Sequence, residues 1–233
     1  MAKIPQINLL FWIIKILATT FGETGGDALS MTFDLGYAIS SLIFIGLFFA
    51  TLFLQIKATK FHPFLYWAVI VATTTAGTTM ADYADRSLGL GYLGGVSLLA
   101  IILAAVLAAW YFSLGSLAVA DITTLKGELF YWATILFSNT LGTALGDFAV
   151  DDFDLGYELS AAIFSGLLAI IVVIYKAKKI SPTLLFWAAF VLTRPLGATV
   201  GDLITKPIES GGFAIGRVDS SLLIAGVMIV FII

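Results

Sequence analysis

Five acidic residues, Glu23, Asp27, Asp82, Asp147 and Asp202, sit at the ends of long apolar stretches. A charged side chain at the bilayer centre costs about 2.5–3.5 kcal/mol on insertion scales, so such groups face a bundle interior or an aqueous cavity. Glu23 and Asp27 are four residues apart and share one helical face. Two neighbouring carboxylates favour a cation between them or a shared proton. Thr20, Thr75, Thr140 and Asn139 fall one to two turns earlier and add hydroxyl and amide oxygens. The chain has no Cys and a single His, His62, which reads as an interfacial residue before Pro63. The donor set is therefore all oxygen. It suits Mg2+, Ca2+ or Mn2+ and disfavours Zn2+ or Cu+. Lys15 and Arg194 lie in the same apolar stretches. They are expected to compensate the acid layer, Arg194 beside Asp202, as structural glue or as counter-charges that stand in for the ion in the empty state.

The spacing of these acids is a repeat. Phe11-Trp12, Tyr66-Trp67, Tyr131-Trp132 and Phe186-Trp187 are each followed by Gly22, Gly77, Gly142 or Gly197 and then by one of the four Asp. The Asp are 55, 65 and 55 residues apart, so a shift of 120 residues also lays the first half on the second. Leu35-Gly36-Tyr37, Leu90-Gly91-Tyr92 and Leu155-Gly156-Tyr157 follow the first three Asp at one spacing. The fourth copy departs: Arg194-Pro195 replaces a Thr-Thr pair, and Pro195 is expected to kink its helix.

With 60% hydrophobic and only 12% charged residues, a water-soluble domain is excluded, since such domains average about 25% charged. A net charge of −3 argues against nucleic acid as a partner. The expected architecture is an all-α polytopic membrane protein, one membrane domain over 1–233, with repeats 5–57, 62–120, 126–179 and 181–233. Two apolar stretches per repeat, of the roughly 20 residues a crossing needs, give eight transmembrane helices, 5–28, 36–57, 62–83, 90–113, 126–148, 156–176, 181–202 and 215–233. Two crossings per repeat make the repeats parallel, about an axis along the membrane normal, and put the four Asp at one level. Small residues at four-residue spacing, as in Gly22 and Gly26, let backbones approach closely. The odd helices are therefore expected at the centre and the apolar even helices against lipid. Each Trp reads as a packing anchor. Lys3, Lys57, Lys60, Lys126, Lys176, Lys178 and Lys179 cluster at one end, which makes that end, and both termini, cytoplasmic. Asp151, Asp152, Asp154 and Glu158 mark an outer vestibule that concentrates cations.

The four tandem two-helix units, with their aromatic–Trp pairs and Gly-to-Asp sets, resemble a family of bacterial integral membrane proteins built from a repeat of unknown function. The resemblance implies a bacterial inner-membrane location and eight helices. Glu23-Thr24-Gly25-Gly26-Asp27 also looks similar to the Glu-x-Gly-Asp signature of Mn2+ and Ca2+ exporters, with one extra residue between the acids.

The resulting expectation is a transporter of cations, foremost a divalent-metal exporter of the Mn2+ type. It would bind its substrate ion among Glu23, Asp27, Asp82, Asp147 and Asp202, with Thr20, Thr75, Thr140 and Asn139 nearby, and protonation of the same carboxylates would couple transport to protons. The alternatives are a transporter of a small organic cation or another proton-coupled solute, and a membrane scaffold that moves nothing. An enzyme is not expected, because no nucleophile–base set or cofactor fingerprint is present. Membrane lipid and a cation or proton are the expected partners, with no cofactor, and a homo-oligomer stays open.

Overall fold

The structure, a computed structural model, describes residues 3–233. Each repeat folds as two helices: α1 (Leu9–Asp27) and α2 (Gly36–Lys57), α3 (Pro63–Asp82) and α4 (Gly91–Leu114), α5 (Leu125–Asp147) and α6 (Gly156–Ala177), α7 (Pro182–Thr205) and α8 (Arg217–Ile232). The odd helices start on side-chain caps or proline. Asn8 and Thr124 accept from the amides of Phe11 and Gly127, and the His62 ring accepts from Leu65; Pro63 and Pro182 occupy first-turn positions that need no amide. The Asn8 cap corrects the expected start of the first helix from residue 5 to residue 9. Helix α7 continues through Pro195 to Thr205.

Beyond the first three Asp the backbone widens. Asp27, Asp82 and Asp147 each run directly into a π-helical turn, Ala28–Thr32, Tyr83–Ser87 and Phe148–Asp152. The amides of Phe33, Leu88 and Phe153 reach back five residues, at 2.9, 2.9 and 3.2 Å. The chain then reverses into the next helix through Gly36, Gly91 and Gly156, at φ +71°, +66° and +67°. That left-handed backbone explains the glycine of each Leu-Gly-Tyr. In the fourth repeat α7 instead ends at Thr205, and a 3-10 turn over Ile208–Ser210 leads to α8.

Helices α1, α3, α5 and α7 form a closed four-membered ring in that order, with α7 packed back against α1. Each even helix packs on the odd helix of the following repeat: α2 on α3, α4 on α5, α6 on α7, and α8 on α1. The repeats are thus interlocked, and the last is joined to the first. The same cyclic rule holds for side chains. A Cβ on Gly22, Gly77, Gly142 or Gly197 would press on Thr74, on the Asn139–Thr140 backbone, on Arg194 or on Thr19. Those are equivalent positions, one repeat ahead. At the other end of the ring the aromatics do likewise. Phe11 meets Trp67 at 5.5 Å, Tyr66 meets Trp132 at 5.5 Å, Tyr131 meets Trp187 at 6.0 Å and Phe186 meets Trp12 at 5.7 Å between centroids. The Trp residues anchor packing, as expected.

The distribution of polarity is inverted relative to a water-soluble protein. Leu42, Ile101, Val173 and Leu223 on the even helices are exposed, whereas Lys15, Arg194 and the acids of the ring are buried. Five segments are long and apolar enough to cross a membrane: Gly36–Lys57, Pro63–Ser87, Gly91–Leu114, Gly156–Ala177 and Pro182–Thr205. Helices α1 and α5 carry more charge, and α8 has 16 residues. An exterior this apolar belongs in lipid.

Candidate functional site

The ring places polar groups in tiers along its interior. At the deep end, the hydroxyls of Tyr66 and Tyr131 lie 2.6 Å apart. Next comes Lys15, fully buried, whose Nζ donates to Asn139 Oδ1 at 3.3 Å and lies 4.2 Å from the Phe190 ring centroid. The Asn139 amide in turn donates to Thr73 Oγ1 at 3.0 Å. Above it Arg194 Nη2 donates to Glu23 Oε2 at 2.9 Å and to the Thr78 hydroxyl. The Thr78 hydroxyl also lies 3.0 Å from the Gly22 carbonyl, tying α3 to α1.

The four Asp close the ring at the end opposite Tyr66 and Tyr131, and cations alternate with them. Arg86 spans Asp82 (Nε to Oδ1, 3.3 Å) and Asp147 (Nη2 to Oδ2, 3.5 Å). Lys206 Nζ spans Asp27 Oδ2 at 3.1 Å and Asp202 Oδ1 at 3.0 Å. Arg217, from the start of α8, adds a contact of its Nε to Asp27 Oδ2 at 3.4 Å. Arg86 and Lys206 each stand four residues after an Asp and are related by the 120-residue shift between the halves. Repeats one and three have Met31 and Asp151 there. The four odd helices repeat fourfold, whereas this basic residue repeats only by halves. Glu23 and the four Asp are thereby each in contact with a cation, from the set of Arg86, Arg194, Lys206 and Arg217. Burial alone would lower the pKa of Lys206, but Asp202, Asp27 and Glu23 outweigh it and hold the ammonium well above the usual lysine value.

Glu23, Asp27 and Asp202 form the tightest acid cluster. One oxygen from each lies within 4.8 Å of the others, and all three residues are buried. Asp27 Oδ1 is buried without a hydrogen-bond partner. Asp82 and Asp147 are held apart from this cluster around Arg86. Thr20, Thr75 and Thr140 donate to carbonyls of their own helices, those of Ile16, Val71 and Leu136, seven residues and about 10 Å along the helix from the Asp. Asn139 serves Lys15 instead.

Two expected pairings are corrected. Asp202 is paired with Lys206 and not with Arg194, which lies two turns deeper and meets Glu23 on the neighbouring helix. Lys15 reaches no Asp: it is twelve residues from Asp27, about 18 Å along the helix, and rests on Asn139 and Phe190. The cations that do serve the Asp layer are Arg86, Lys206 and Arg217, none of them among the residues expected to compensate it. The signal that marks the first two is a basic residue four positions after an Asp in both halves. Asp151, Asp152 and Asp154 are exposed at this same end, just beyond Asp147.

No curated protein and no solved structure matches this chain, so the likeness to Mn2+ and Ca2+ exporters gains no support. A family model does match, four times in tandem, over residues 10–61, 65–116, 130–181 and 185–233. Those segments cover most of the sequence and coincide with the four two-helix units, and the chain accordingly belongs to the family described as Repeat of Unknown Function (DUF347).

Proposed function

We propose that the chain is a membrane transporter of cations, with a divalent metal of the Mn2+ type as its substrate and an exporter's direction. The observation that carries this is the cluster of Glu23, Asp27 and Asp202, three buried carboxylates within 4.8 Å of one another, held at the rim by cations that can leave. The Lys206 side chain is 14% exposed and that of Arg217 25% exposed, whereas that of Arg194 is fully buried. Lys206 and Arg217 both contact Asp27. One doubly charged ion that displaces both leaves the charge of the ring unchanged. A singly charged ion does so by displacing Lys206 alone, but leaves the Asp27–Arg217 contact in its way. Oxygen ligands alone suit a hard cation. Protons competing for the same carboxylates couple the two fluxes.

All eight helices cross the membrane in this proposal. Helices α1 and α5 alternate with α3 and α7 in one ring, and their charged residues are buried apart from Lys126 at the start of α5, so they span wherever their neighbours span. Both termini lie in the cytoplasm of a bacterial inner membrane. The lysines Lys57, Lys60, Lys126, Lys176, Lys178 and Lys179 gather at that end. The basic residues of the other end, Arg86, Lys206 and Arg217, are neutralised by acids.

The pairing of each of these five acids with a basic side chain favours a second proposal, a membrane scaffold whose ion pairs fix the ring. Flux separates the two. Purified chain in proteoliposomes is expected to move Mn2+ down a gradient, and Asp27→Asn and Asp202→Asn are expected to abolish the flux while still inserting. Absence of flux of Mn2+, Mg2+, Ca2+ or a small organic cation by wild-type protein leaves the scaffold.

A further inference from the structure

Helices α1 and α6 flank α7. Between them an apolar groove of about 570 Å3 runs along the outside of the bundle. Its walls are Trp12 and Ile16 of α1 and Leu168, Val172 and Tyr175 of α6. Its floor is the stretch of α7 from Pro182 to Thr193, about 16 Å along the helix. That is close to one leaflet, half of the roughly 30 Å of hydrocarbon in a bilayer. The groove thus begins at the end of the bundle that carries the lysines and stops near mid-membrane.

The equivalent place one repeat earlier, between α4 and α7 over α5, is filled by the protein itself. Trp110 stands at the same distance after Gly91 as Tyr175 after Gly156. Trp110 is 1% exposed, and its ring centroid lies 5.7 Å from that of Trp187. The Trp187 indole donates to the Leu117 carbonyl at 3.0 Å, in the long connection 115–124 between α4 and α5. At the groove the connection 178–181 is far shorter. Tyr175 is 60% exposed there, and Trp12, the counterpart of Trp187, forms a wall with no such loop over it. The start of the described chain lies elsewhere: Lys3 is tied to the Ile56 carbonyl and to Glu128, at the ends of α2 and α5.

Lysines stand at the mouth of this groove. The lining face of α6, Leu168, Val172 and Tyr175, advances by three or four residues at a time and reaches Lys178 and Lys179 just past the end of the helix. Lys176 adjoins Tyr175, and Pro182, three residues after Lys179, is itself in the lining. All three lysines are exposed. No acid lies between Glu158 and Asp202 in the sequence to neutralise them. A second copy of the chain docked on this face, about an axis along the membrane normal, would bring two such triads together, and like charges oppose that. An apolar tail one leaflet long joined to a negative head satisfies both halves of the site. We propose that the groove binds an anionic phospholipid, with an acyl chain lying along α7 and the headgroup phosphate held by Lys176, Lys178 and Lys179. The amine of a zwitterionic headgroup is repelled by the same lysines, so a neutral lipid binds less well. The groove shares no residue with the Glu23–Asp27–Asp202 cluster and does not depend on the function proposed for it.

The test is native mass spectrometry of the full chain, released from detergent that contains equal amounts of phosphatidylglycerol and phosphatidylcholine. One retained phosphatidylglycerol per chain is expected, preferred over phosphatidylcholine about tenfold or more. The triple variant Lys176→Gln, Lys178→Gln and Lys179→Gln is expected to lose that preference. Ala169→Trp, at an exposed position in the lining, is expected to fill the groove and remove the retained lipid. Lys57→Gln with Lys60→Gln, at the connection from α2 to α3, is expected to change neither, which separates this groove from a general attraction of lysines for anionic lipid. Every substituted residue is exposed, so the variants are expected to fold. Equal retention of the two lipids by wild-type protein, an undiminished preference in the triple variant, full retention in Ala169→Trp, or loss of preference in the Lys57 and Lys60 variant would each overturn the proposal. So would a dimer that dissociates in Ala169→Trp, because a second copy would then be the occupant.

Discussion

Lys206 Nζ lies 3.1 Å from Asp27 Oδ2, and this contact ties the last repeat to the first. It sits on the seam where the ring of odd helices closes, at the cluster of Glu23, Asp27 and Asp202. Ring closure and the candidate cation site therefore depend on the same side chain. Removing the Lys206 charge leaves Asp27 and Asp202 repelling each other with only Arg217 nearby. Lys206→Met is expected to lower the thermal midpoint of unfolding in detergent by several degrees. Millimolar Mn2+ is expected to restore it, because a ligand that binds only the folded state stabilises it. A lowered midpoint that Mn2+ leaves unchanged would mean that Lys206 is only a structural tie.

Interlocking makes the small residues of the seam indispensable. A Cβ on Gly197 would run into Thr19, backbone included. Gly197→Ala is therefore expected to cost about 1–3 kcal/mol, the range for overpacking a tight interface. Gly46→Ala and Gly166→Ala, on the outer helices with open space around them, are expected to be neutral. Thermal unfolding of the three variants side by side checks this.

The Arg194–Glu23 pair is fully enclosed, with side chains 0% and 4% exposed. Breaking such a pair from one side leaves an uncompensated charge, at a typical cost of about 3–5 kcal/mol. Arg194→Met is expected to fail in assembly or to unfold at markedly lower temperature. The double variant Arg194→Met with Glu23→Gln is expected to recover most of the loss, and a double-mutant cycle measures the coupling. Independent, additive effects would remove the pair from the ring's interior.

Orientation is open to a direct check because the chain has no Cys. Single cysteines at Lys60 and Glu209 are expected to react with a membrane-impermeant thiol reagent from opposite sides. Lys60→Cys should label only in inverted vesicles and Glu209→Cys only in right-side-out ones. Labelling of both from one side would contradict an odd number of crossings between them.

Much of this arrangement is legible in the residues, and the part that is not has a common cause. The fourfold Gly-to-Asp spacing places the odd helices together and their Asp at one level, because identical copies threaded in the same direction share depth. The glycine of Leu-Gly-Tyr marks where α2, α4 and α6 begin, because only a residue without a side chain enters that turn easily. Local spacing cannot say which repeat a helix packs against, so the placement of α2 on α3 and of α8 on α1 emerges only in three dimensions. The π-helical turns after Asp27, Asp82 and Asp147 have no distinctive residue pattern. The second of them carries Arg86 back over the ring, although by composition it reads as a loop residue. Thr20, Thr75 and Thr140 looked like ligands by type, but their hydroxyls answer to carbonyls of their own helices.

The cation cluster itself is tested most directly by anomalous diffraction from crystals grown or soaked with Mn2+. A peak is expected about 2.0–2.6 Å from oxygens of Glu23, Asp27 and Asp202, the range of hard cation–oxygen bonds, with Lys206 and Arg217 turned away. Lys206 still bridging Asp27 and Asp202, with no peak among the three carboxylates at saturating Mn2+, would contradict it.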